Sequence, residues 1–109
     1  MTTVPSTVLE FEHEADIDGA LGVKVRLSGR TGPEGFKRVG EALAGQRRAR
    51  APEVWVWVYG YDMDLDGPAV CVSYASATEE PMTEFIDPKA VLGWYRGKML
   101  AQVPSGEVN

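Results

Sequence analysis

The run EVWVWVYGY at residues 53–61, the acidic connector DMDLDG at 62–67 and the run PAVCVSYASA at 68–77 decide the fold. Side chains alternate across a strand, so Val54, Val56 and Val58 share one face and Trp55, Trp57 and Tyr59 the other. Both faces are apolar, and a strand of that kind needs cover on both sides, from the chain's own helices or from another molecule. Aliphatic side chains suit close helix packing better than rings do. The aromatic side, Trp55, Trp57 and Tyr59 with Val70, Val72 and Tyr74 of the second run alongside, is therefore the expected interface, for a protein partner or for a second copy in a homodimer.

Upstream, Leu9, Phe11, His13, Ala15 and Ile17 alternate with Glu10, Glu12, Glu14 and Asp16, the pattern of a half-buried strand. A second strand puts Val23, Val25 and Leu27 on one side and Lys24 and Arg26 on the other. Matching charge and apolarity across the pair predicts Ile17 opposite Leu21, Glu14 opposite Lys24 and Glu12 opposite Arg26, joined by a loop of about three residues in which Gly19 takes a positive φ. A two-residue Asp18-Gly19 loop would set Glu14 against Val23. Thr31 and Glu34 have the spacing of a capping box, opening a helix that buries Phe36, Val39 and Leu43 and ends near Arg50, before Pro52. Gly40 and Ala44 let that helix approach the sheet, and Arg47, Arg48 and Arg50 fall where a helix dipole favours cations. After the central hairpin, a short strand is expected at 82–86. Asp87-Pro88 then opens a second helix with Val91, Leu92, Tyr95 and Met99 on one side.

The predicted order is ββαββ(β)α: an α+β two-layer sandwich with a mostly antiparallel sheet of four or five strands and two helices. The helix between the second and third strands implies a crossover, which makes those strands parallel if they are neighbours. A length of 109 residues fits a single domain, with 1–6 and 103–109 as flexible ends. The net charge of −5 and pI near 4.8 disfavour direct nucleic-acid binding, which depends on neutralising phosphates with cations. A lone cysteine, Cys71, suits a reducing compartment, and no stretch approaches the ~20 apolar residues that span a bilayer, so a cytoplasmic protein is expected.

Three further patterns carry possible chemistry. Asp62, Asp64 and Asp66 with Gly67 match the first six positions of a calcium loop, D-x-D-x-D-G. The twelfth position is Ser73 instead of a bidentate glutamate, and the flanks read as strands, so an acidic hairpin turn is the simpler assignment, with calcium as the alternative. The segment Gly29-Arg30-Thr31-Gly32-Pro33-Glu34-Gly35 superficially suggests a phosphate cradle. Pro33 removes one amide, however, and Glu34 puts negative charge where the anion would sit. The row Glu10, Glu12, Glu14 and Asp16 could imitate a nucleic-acid backbone and block a nucleic-acid-binding protein, as a phage or mobile-element antagonist does. Lys24 and Arg26 opposite would neutralise part of it.

His13 reads as a hydrogen-bonded core histidine. Cys71 would be a nucleophile only beside an activating base, and no set of nucleophile, base and oxyanion donors can be assembled, so the chain reads as non-enzymatic.

The run from Val54 to Tyr74, with Tyr61-Asp62-Met63 at its turn and Gly67-Pro68-Ala69 leading into the next strand, resembles small uncharacterised bacterial strand–helix–hairpin domains. The strand Gly22 to Ser28 and the helix Glu34 to Ala49 are similar too, so the resemblance spans about residues 20–77. It implies the order of elements and no activity. A connector of the same length exists there without the aspartates. The expected function is a protein-binding module; an acidic inhibitor and a calcium-dependent adaptor are the alternatives.

Overall fold

The computed structural model describes residues 9–29, 31–61 and 63–86. The predicted second helix and both end segments lie outside the described residues. Among the described residues five strands, β1 (Leu9–Ile17), β2 (Ala20–Leu27), β3 (Glu53–Tyr59), β4 (Cys71–Ser76) and β5 (Met82–Phe85), form one sheet in sequential order, with a helix, α1 (Pro33–Arg47), between β2 and β3. The class is α+β. The sheet is mixed: β2 and β3 run parallel, as the crossover through α1 requires, and the other three pairings are antiparallel.

One face of the sheet is covered by α1, which lies over β3 and β4. On this helix face Val23, Val25, Val54, Val56, Val58 and Cys71 are fully buried, together with Phe36 from α1, and Val39, Leu43 and Ala44 complete the core. Gly40 sets the closeness of approach. A Cβ there would run into the Ser73 side chain and lie 3.1 Å from Val58 Cγ2. Ser73 is itself buried, and its hydroxyl is matched with Thr83 Oγ1 at 2.7 Å, so no polar group is stranded.

Two local expectations need correction. The β1–β2 link is the two-residue Asp18-Gly19 turn, with Ile17 opposite Ala20, His13 opposite Lys24 and Glu14 opposite Val23. Asp18 at φ 52 and Gly19 at φ 89 both take the positive values that a tight primed hairpin turn demands, and Asp16 Oδ1 accepts the Gly19 amide at 3.1 Å. Turn chemistry outweighs cross-strand charge matching, which contributes only ~0.2–1 kcal/mol per pair. The register then shifts between Leu9 and Phe11, leaving Glu10 as the extra residue of a bulge.

The capping box does not form either. Gly32 is the N-cap without a side-chain cap, Pro33 takes the first helical turn, where its fixed φ fits, and Gly32 O accepts the amides of Gly35 and Phe36. The helix ends at Arg47, and residues 48–50 form a turn closed by the Arg50 amide on Arg47 O at 2.9 Å.

Candidate interaction face

Opposite the helix face, the ladders bring together residues distant in sequence. Trp55 lies between Gly22 and Tyr74, and Trp57 between Lys24 and Val72. The Trp55 and Tyr74 rings stack at 4.5 Å between centroids, tilted by 54°. Gly22 is a notch in this far face: a Cβ there would stand 2.5 Å from Ile17 Cδ1 and 3.2 Å from Trp57 Cζ3, so both side chains lean over the glycine from neighbouring strands. Trp55, Trp57, Val72 and Tyr74 are half-buried. On the outer strands Ile17 and Met82 are 47% and 59% exposed. The Tyr74 phenol, 3.5 Å from Glu53 Oε2, has its pKa raised by burial first and by Glu53 second, so it remains neutral.

The connector after β3 crosses one end of this face like a strap. Tyr59 Oη donates to Gly67 O at 2.7 Å, Lys24 Nζ to Leu65 O at 2.9 Å and Arg26 Nη1 to Met63 O at 3.0 Å. Lys24 also lies 5.5 Å from the centre of the Tyr59 ring. Three alternate carbonyls are thus bonded to sheet side chains, and the intervening Asp64 and Asp66 are exposed. Asp64 supports the turn, its Oδ1 accepting the Asp66 amide at 2.9 Å and its carbonyl the Gly67 amide at 3.1 Å. Asp62 lies outside the described residues, and among the described residues no three histidine, cysteine, aspartate or glutamate side chains converge as a metal site.

Of the residues expected at the interface, Trp55, Trp57, Val72 and Tyr74 come together as half-buried neighbours. Tyr59 shares the far face but is buried at the strap. Val70 is elsewhere: it is buried in the core, with its amide on Val58 O and its carbonyl accepting the Ile86 amide. The β4 ladder begins at Cys71, so the alternation that grouped Val70 with Val72 and Tyr74 does not extend to it. Alternation alone also missed Gly22, Ile17 and Met82. The available signal was the glycine inside a β-strand pattern, a mark of close approach.

The acidic row does not act as a unit. Glu12 and Glu14, opposite Val25 and Val23, are on the helix side, where Arg47 bonds both of them. Its Nε lies 2.5 Å from Glu14 Oε2, and Arg50 Nη2 is 3.0 Å from Glu14 Oε1. These two guanidinium groups hold the Glu14 carboxyl below its usual pKa. Glu10 pairs with Arg26 Nε at 2.6 Å, and Asp16 caps the turn. His13 is exposed at the sheet edge, not in the core, because the far side of β1 has no described cover there. Cys71 faces α1, and burial, with a smaller contribution from Glu41, pushes its thiol up to about 12. It therefore carries almost no thiolate at neutral pH.

No family model, curated protein or solved structure matches the chain. Among the described residues no helix is long and apolar enough to cross a membrane.

Proposed function

We propose that this chain is a small non-enzymatic binding module that docks another protein, or a second copy of itself, on the far face of its sheet. The observation that carries this reading is the half-buried row of Trp55, Trp57, Val72 and Tyr74 opposite fully buried valines. Tryptophan and tyrosine are favoured anchors of protein interfaces, and a cluster at the centre of a sheet with exposed Ile17 and Met82 on its flanks has the layout of an anchor region with a rim. The strap limits the face at one end.

A catalytic reading lacks support from the nucleophile side. The Cys71 thiol is protonated and faces α1, whereas the lone histidine, His13, is aligned with Lys24 on the other side of the sheet. The acidic-inhibitor reading loses ground because a basic partner would have to displace Arg47 and Arg50 from Glu12 and Glu14. Net charge of −5 keeps nucleic acid off the list of expected partners, and a buried unbridged cysteine suits the reducing cytoplasm.

Sedimentation velocity across a concentration series, with wild type and Trp57→Glu, tests the proposal. Wild type should self-associate or bind a partner recovered from the host, and Trp57→Glu should be folded, monomeric and inactive in binding. A wild type that remains monomeric at high concentration, with Trp57→Glu unfolding outright, would make the rings core residues and end the interface reading.

A further inference from the structure

We propose that β1 is a latched edge strand, held on the sheet by Arg47 at the end of α1 and Arg50 in the turn after it, and able to open while β2–β5 stay folded. β1 stands at the edge of the described sheet and, among the described residues, contributes none to the buried core; of its residues only the first, Leu9, packs against that described core, from a half-buried position. On the helix face, where β2, β3 and β4 present leucine, valine, cysteine, alanine and a single matched serine, β1 presents Glu12, Glu14 and Asp16 after Leu9.

Those carboxylates are closed down by Arg47 and Arg50. Arg47 has a side chain only 12% exposed and spans both glutamates, while Glu14 at 29% exposure accepts from both arginines. Apart from the backbone ladder to β2, the Leu9 contact and Ile17 over the Gly22 notch, charge therefore does for β1 on the helix face what apolar packing does for β2, β3 and β4. Regions with few buried apolar contacts are the ones that open below the global unfolding free energy, and part-exposed ion pairs weaken with salt. Opening leaves the arginines near the C-terminal end of α1, a place that tolerates cations, so release does not strand them. The open form uncovers the β2 edge beside Val23 and Val25.

Native-state hydrogen exchange resolved by residue, on the full chain, reads this directly. In wild type the β1 amides bonded to β2 should exchange through a smaller opening than those of β3 and β4. Arg47→Gln should speed the β1 amides about tenfold with β3 and β4 unchanged, and added salt should move wild type the same way. Exchange of β1 in step with β3 and β4, or β1 amides indifferent to Arg47→Gln, would overturn the proposal. Should Arg47→Gln fail to fold, Glu14→Gln at the sheet edge carries the same test: selective acceleration of β1 supports the latch, and uniform acceleration of β1, β3 and β4 refutes it.

Discussion

On the helix face Val54, Val56 and Val58 meet the α1 side of the core with no exposed surface, whereas on the far face of the same strand Trp55 and Trp57 keep part of theirs open. The two faces alternate residue by residue along one seven-residue strand, so the backbone is shared and the side chains and their exposure differ. Valines beside Gly40 and Ala44 leave a surface smooth enough for a helix to approach closely. Rings and a cation row do not, and they are covered instead by one another, by Ile17 reaching over the Gly22 notch and by a strap anchored through Lys24 and Arg26. Apolar character on both faces thus dictates that cover is needed, and side-chain shape decides what kind of cover fits.

The contrast can be broken first where the effect is largest. Phe36→Ala removes the largest fully buried side chain of the helix face and should cost about 3–5 kcal/mol in urea unfolding, whereas Trp57→Ala on the far face should cost about 1–2 kcal/mol. Equal losses would mean that the far face is core as well. Next comes the ion-pair edge. Because Glu14 has a depressed pKa in the folded state, its contribution is present above the ordinary carboxylate range and is lost as pH falls through the lowered value. Glu14→Gln should lower stability by about 1 kcal/mol at pH 7 and should leave a shallower decline than wild type as pH falls below the ordinary carboxylate range, as read by urea midpoints along a pH series. A variant that declines as steeply as wild type would remove Glu14 from the acid response. The smallest effect is expected at the strap: millimolar calcium should leave the melting temperature where it was, since Lys24 and Arg26 already bond the Leu65 and Met63 carbonyls. A calcium-dependent rise that Asp64→Ala abolishes would instead make the connector an ion site.

Much of this molecule is written in short-range pattern. The alternation of Val54 to Tyr59, the helical stripe of Phe36, Val39 and Leu43 and the parallel β2–β3 pairing implied by the crossover are all readable from spacing, because periodicity and chain connectivity act locally. Register was harder. Charge matching pointed to Glu14 opposite Lys24, and the two positive φ angles at Asp18-Gly19 moved the pairs from Phe11 to Ile17 by one residue, carrying Glu12 and Glu14 to the helix side. Their partners, Arg47 and Arg50, are more than thirty residues away in sequence, and no local pattern announces such a meeting. The far-face cluster was legible in four of its rings and branches, Trp55, Trp57, Val72 and Tyr74. Val70 was misplaced because a strand's start cannot be located by alternation when Ala69, Val70 and Cys71 are all apolar.

The stacking of Trp55 on Tyr74, with Trp57 leaning over Gly22, also gives the molecule an optical handle of its own. Two of the chain's three tryptophans share the proposed docking face, and indole emission responds to the water around the ring. A partner that seals the face would dry both indoles and move the emission to shorter wavelength, while the coupled Trp55 and Tyr74 rings would report any tilt through their near-ultraviolet dichroism. Occupancy of this surface is thereby visible in the unlabelled protein, at the concentration where binding happens.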